Sequence, residues 1–264
     1  MSLANRPSRL LAWFAAIAVS FNAAAASPRV NELIVRFKSE SQFWQQGEVA
    51  DELVKVATLK DISSLEPWLS HEDRRFRGNA AYVFAKLGDR RGLDTLLSIL
   101  TDFSNQRTIH PPNIGIAPVP AGSQVRENLL GAYKRNSRVV RDQITADRYY
   151  AVHLLGELRD ARAVGALLPL LDDDQINYKV AWALGEIGDH RAIQGLIAAL
   201  SNSDALVRVS AIEALEELRA GAALPFLVAM FDDKAVPRAG DRISVGVTAR
   251  RAADMIRGGA VPRR

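Results

Sequence analysis

Apolar residues recur at helical spacing in the stretch 175–204, and a short polar turn splits them into two stripes. Val180, Ala183, Leu184 and Ile187 form the first stripe. Gly188-Asp189 interrupts it, and Ile193, Leu196, Ile197 and Leu200 form the second. The pattern predicts two antiparallel helices joined by a tight turn. A lone hairpin of about 30 residues cannot bury both stripes, so it needs neighbours of the same kind.

The last apolar residue of each predicted first helix marks a register: Val56, Leu87, Leu158, Ile187 and Leu218. The steps between marks are 31, 71, 29 and 31 residues. Six positions after the marks stand Ile62, Leu93, Val164, Ile193 and Leu224. Nine positions after stand Leu65, Leu96, Leu167, Leu196 and Leu227, and thirteen after stand Leu69, Leu100, Leu171, Leu200 and Phe231. Agreement in three columns across five copies is a repeat signal. A further stripe through Ala249, Ala252, Ala253 and Ile256 has no second helix after it and reads as a terminal cap.

The segments "ALGEIGDHRAI" at 183–193, "AKLGDRRGL" at 85–93 and "GELRDARAV" at 156–164 resemble HEAT repeats, in particular the short HEAT-like repeats of phycobilisome lyases. The resemblance covers roughly 43–257 with one interruption, and it implies an all-α solenoid of about five helical hairpins with a cap helix. Such a repeat is a scaffold for many unrelated binders, so it fixes the fold and not the function. The expected layout is a signal peptide over 1–26, a lead-in over 27–42 and repeats over 43–102. An insertion over 103–145, repeats over 146–233, a loop and cap helix over 234–258 and a disordered tail over 259–264 complete it.

Polar residues recur in the same register. Asp89, Asp160 and Asp189 stand where a side chain can cap the second helix. Arg77, Arg148 and Arg208 lie ten positions before the mark, and Arg91, Arg162 and Arg191 four after it. Aligned acids and bases of this kind are expected to form a structural ladder between repeats. Ala220 and Asn177 replace the Asp and the Arg in one copy each, so the ladder is incomplete.

The 71-residue step holds about 40 residues more than one repeat. They open with TIHPPNIGIAPVPAGS, whose four prolines and two glycines forbid regular helix. A basic helix with Arg126 and Lys134 follows. A long insertion of this kind serves either as a binding loop or as a lid over the solenoid.

Composition changes the picture at few points. The chain of 264 residues has no cysteine, which excludes disulfides and thiolate chemistry. Its net charge of +4 is too mild to argue for nucleic acid. Arg6 and Arg9, an apolar run from Leu10 to Phe21 and the alanines before Ser27 read as a secretory signal. Export to a bacterial periplasm or medium is expected, with no stable membrane insertion after cleavage. Export would also keep the chain away from phycobilisomes, which argues against the lyase activity of the resembling family.

No catalytic or metal constellation can be assembled. His71, His110, His153 and His190 fall in different copies and phases. Deoxyhypusine hydroxylases are HEAT-like and use repeated His-Glu pairs to bind iron, whereas His71-Glu72 stands alone here. No cofactor is expected. One surface stands out. Tyr82, His153 and Trp182 lie five positions before the mark, Glu157 and Glu186 lie one before it, and the two columns share a helix face. Tyr149, Tyr150 and Tyr178 lie one turn earlier. Aromatics on an outward face suggest contact with a protein or peptide partner. The expected function is a non-catalytic exported scaffold; the alternative is an accessory subunit of a cell-envelope enzyme complex, and an enzyme ranks last.

Overall fold

A computed structural model describes residues 27–104, 143–238 and 240–258. The expected signal peptide, most of the insertion and the tail lie outside the described residues. The lead-in is itself a helix, α1 (Pro28–Ser39). Ser27 caps it by accepting a hydrogen bond from Val30 N–H, and Val30, Leu33, Ile34 and Phe37 bury one stripe.

Five hairpins follow. Phe43–Val56 (α2) pairs with a 3-10 helix over Ser63–Ser70, and Arg74–Lys86 (α3) with Arg90–Thr101 (α4). Gln143–Leu158 (α5) pairs with a broken helix built on Val164–Leu167 (α6). Asn177–Ile187 (α7) pairs with Ile193–Ala199 (α8), and Ala205–Glu217 (α9) with Leu224–Ala229 (α10). Val245–Ile256 (α11) closes the stack, burying Ala249, Ala252 and Ala253. Each hairpin packs on the next, and no strand occurs among the described residues, so the fold is an α-solenoid. The second helices are short where proline intrudes: Pro67 and Pro169 each lie in a 3-10 segment, because proline removes an i→i−4 donor.

The core follows the nine-position column. Leu65, Leu96, Leu167, Leu196 and Leu227 are all fully buried. The turns share one construction. Asp89, Asp160 and Asp189 each accept from the backbone N–H two residues on, and the same carboxylates hold Arg91, Arg162 and Arg191. The residue just after four of the five register marks adopts a left-handed backbone: Gly88, Arg159, Gly188 and Arg219 have φ of 93, 57, 76 and 49°, whereas Ala57 after Val56 is extended.

The ladder expected between repeats is, for three of its arginines, a clamp inside each repeat. Arg77 pairs with Asp102 at 2.9 Å, Arg148 with Asp173 at 2.6 Å and Arg208 with Asp233 at 2.9 Å. Each pair joins the start of a first helix to the end of its own second helix, 25 residues away. The α7–α8 copy has Asn177 and Asn202 at these two places, so both partners change together. Contact between repeats comes instead from Arg91, which reaches Glu66 at 3.1 Å, and from Arg191, which donates to Ala161 O at 2.7 Å. The stack is continuous across the interruption: α5 packs on α3 and α4, and Arg148 Nε donates to Leu100 O at 2.8 Å.

Candidate functional site

Helices α2, α3, α5, α7 and α9 and the cap α11 lie side by side, each packed on the next. A first helix therefore packs against a first helix on either side and, from α3 on, against the second helix of the preceding hairpin. This narrows the outward strip expected from the sequence. Tyr82, Tyr149, Tyr150, His153 and Tyr178 are buried, and Glu157, Trp182 and Glu186 are half-buried.

Tyr150 does not belong with the rest. Its hydroxyl donates to Asn79 Oδ1 at 2.5 Å, Asn79 Nδ2 donates to Gln46 Oε1 at 3.0 Å, and Gln46 Nε2 donates to Phe37 O at 3.0 Å. This buried polar chain ties α1 to α5 and satisfies each group it crosses. Tyr82 faces Asp51 across the α2–α3 seam, where burial holds its phenol neutral well above the ordinary range. Lys86 lies beside this pair and donates to Glu157 O at 2.5 Å.

The remaining residues converge. Trp182 stacks on His153 with ring centroids 5.2 Å apart, and Tyr149 meets Tyr178 at 5.9 Å. The Trp182 ring reaches α5 because position 156 is glycine; a Cβ there would stand 2.6 Å from Trp182 Cζ3. His153 is 1% exposed and neither ring nitrogen has a hydrogen-bond partner. Burial, aided by the Lys179 charge, pushes its pKa well below the ordinary value, so the imidazole is neutral.

The Trp182, Tyr149 and Tyr178 rings wall one end of a cleft of about 580 Å³ lined by α7, α9, α11 and a loop that carries Pro237, Arg238 and Asp241 to Ile243. Lys179 projects along the same wall, with Nζ 3.1 Å from the Trp182 ring centroid and 5.5 Å from that of Tyr149. It is 8% exposed and makes no hydrogen bond or ion pair among the described residues. Burial lowers its pKa to about 7, against the opposing pull of Glu157 and Glu186. Glu157 in turn is raised by burial and by Glu186. Across the cleft stand Arg238, Arg242 and Arg251, together with the carboxylates of Glu213 and Asp241. Arg251 is held by Glu216 at 3.2 Å, whereas Arg238 Nε is buried without a partner and Arg242 forms no ion pair among the described residues. Leu206, Val209 and Ile243 supply apolar lining. The arrangement suits a planar ligand that lies on aromatic rings and carries an anionic group for the arginines.

Sequence reasoning missed Lys179, Asp51 and the arginines. Asp51 and Arg251 stand five positions before Val56 and Ile256, so carrying the aromatic column into the first copy and the cap reaches both. Lys179 lies three residues before Trp182 on one helix face. Nothing periodic marks Arg238 and Arg242, which arrive on a returning loop. Among the described residues no group of three His, Cys, Asp or Glu could hold a metal ion.

Comparison with known proteins bears on both fold and function. The family model for HEAT repeats matches residues 137–216 and 172–241. The chain is 37% identical over 97 residues to a phycocyanobilin lyase subunit alpha of Picosynechococcus sp., covering 33% of this chain and 36% of that protein. It is 35% identical over 99 residues to the subunit of the same name from Synechococcus elongatus, with the same coverage. The chain thus spans about a third of the length of the curated relatives it matches. The expectation of a non-catalytic scaffold, with its accessory-subunit alternative, is corrected by these relatives, and so is the expectation that the chain is no enzyme. Both relatives are named as subunits of a lyase, which is an enzyme. The matched segments are HEAT repeats and together span residues 137–241 of this chain.

Proposed function

We propose that the chain is a lyase-type subunit that holds a planar, conjugated, carboxylate-bearing ligand in the Trp182 cleft and acts on a protein bound along the solenoid. The observation that carries this reading is the pairing of an aromatic wall, Trp182 with Tyr149 and Tyr178, with Arg238 and Arg242, which form no ion pair among the described residues. Stacking supplies area and the guanidinium groups supply two-point recognition of a carboxylate. The bilin in the relatives' name belongs to this ligand class. Spectrophotometric titration of the full chain with phycocyanobilin tests the reading. A saturable spectral change that Trp182→Leu weakens supports it; no saturable change overturns it.

Export belongs to the same proposal. Residues 1–26 would direct the chain out of the cytoplasm, and ligand and protein partner would be met there. N-terminal sequencing of the protein from its native cell checks this: a start near Ser27 supports export, and a retained Met1 contradicts it.

A further inference from the structure

We infer that Lys179 is an amine nucleophile, and that the cleft can hold an aldehyde-bearing planar ligand covalently, as an imine on Nζ. The inference rests on the reading of the cleft as a ligand site and adds a bond to it.

Lys179 is one of seven lysines in the chain. Lys38, Lys55, Lys60, Lys86 and Lys234 are exposed. Lys179 is buried, yet it lines the cleft. A structural lysine at such depth is expected to sit against a carboxylate. Lys179 does not, since Glu157 and Glu186 act on it from beyond ion-pair distance and its contacts are ring faces. Those rings fix the direction of the side chain without engaging the nitrogen in a hydrogen bond, so the nitrogen is left for a ligand. Arg238 and Arg242 stand in the same cleft, where they can hold the anionic end of a molecule whose carbonyl meets Nζ. Desolvation supplies reactivity: a lysine lowered to about 7 is about half neutral amine at neutral pH, against a trace for an exposed lysine.

The chemistry balances without any co-reactant. The Nζ lone pair adds to the aldehyde carbon, and the C=O π electrons move to oxygen. A proton passes from nitrogen to that oxygen, giving a carbinolamine. The hydroxyl then takes a proton from a carboxyl group and leaves as water while the nitrogen lone pair forms C=N. Glu213 lines the cleft and is suited to that role, because burial raises its pKa. Loss of the remaining N–H proton to the Glu213 carboxylate restores the acid and leaves a neutral imine. Water is the sole by-product, and its return reverses the bond.

Pyridoxal 5′-phosphate is the probe, being a planar aldehyde with an anionic group. The full chain is incubated with it near neutral pH, reduced with borohydride to convert the imine to a secondary amine, digested and mapped by mass spectrometry. The expected result is labelling of Lys179 at least about tenfold ahead of the exposed lysines, as the difference in neutral-amine fraction demands. Excess phycocyanobilin should suppress that label and leave the surface label unchanged. Lys179→Arg should abolish the fast phase. Labelling confined to the exposed lysines, or a Lys179 label no faster than theirs, overturns the inference. The mapping is made on the unmodified chain, so it does not depend on a variant folding. Phycocyanobilin binding without a Lys179 label sinks the imine alone, and a Lys179 label without phycocyanobilin binding sinks the bilin reading alone.

Discussion

Lys179 Nζ stands 3.1 Å from the centre of the Trp182 ring, and that ring stacks on His153. The contact joins a buried lysine to an aromatic wall, and the wall exists because α5 offers a glycine at position 156. Gly156→Ala would place a methyl group 2.6 Å from Trp182 Cζ3, and Ala183 Cα, at 3.2 Å, blocks retreat. The substitution should destabilise the fold by about 1–3 kcal/mol. In a Trp182→Leu background the added cost should shrink, because the larger ring is gone. Denaturant unfolding of the four proteins of this cycle checks it; equal penalties in both backgrounds would show that the ring is not what position 156 accommodates.

The pH dependence of stability follows from the same lysine. Burial lowers the Lys179 pKa from 10.5 to about 7. Between those values the unfolded chain binds this proton more tightly than the folded one. The contribution of this group to stability therefore rises as pH increases from about 7 towards about 10. Lys179→Met removes the titration. The unfolding free energy of the parent minus that of the variant should climb between about pH 7 and pH 9.5. The raised phenol of Tyr82 works in the opposite direction only above its ordinary value near 10, and it is common to both proteins. A flat difference would place the Lys179 proton outside this window.

Leu196 is fully buried, whereas Gln194, two residues away on α8, is exposed. Leu196→Ala should cost about 2–5 kcal/mol through lost burial and the cavity left behind. Gln194→Ala should cost less than about 0.5 kcal/mol. Thermal melts of the two variants decide it, and equal melting would contradict the repeat register.

Two glycines with open space around them should respond with opposite signs. A Cβ at Gly188 or at Gly165 meets nothing within 4 Å. Gly188 has φ 76° and Gly165 lies within helix α6. Gly188→Ala should destabilise by about 1 kcal/mol through backbone strain, while Gly165→Ala should stabilise by about 0.5–1 kcal/mol through helix propensity. Stabilisation by both would mean that the turn after α7 relaxes out of the left-handed region.

The solenoid was legible because each copy repeats one burial pattern, so the Leu65, Leu96, Leu167, Leu196 and Leu227 column could be read five times over. The site was legible only in part. Neighbouring residues on a helix differ by about 100°, so Tyr149 and Tyr150 could not both face the cleft. Tyr149 lines it and Tyr150 joins the polar chain through Asn79. Arg159 and Arg219 take left-handed turns that their residue type does not announce. The Gly156–Trp182 fit depends on two helices being side by side, and Arg238 and Arg242 depend on the path of a loop. Neither carries a period to read. The clamp partners Asp102, Asp173 and Asp233 do recur fifteen positions after the register mark, and were within reach of the same column reading.

The arginine side of the cleft gives the most direct test of the central claim, because Arg242 is exposed and Arg238 Nε has no partner to lose. Replacing both with glutamine should leave the far-UV spectrum and the melting temperature unchanged. Titration of phycocyanobilin into the full chain and into this double variant then isolates recognition of the ligand. The account predicts that the variant binds at least about tenfold more weakly, as expected for loss of charge-assisted hydrogen bonds worth about 1.4 kcal/mol or more. Equal affinity in the two proteins would contradict it.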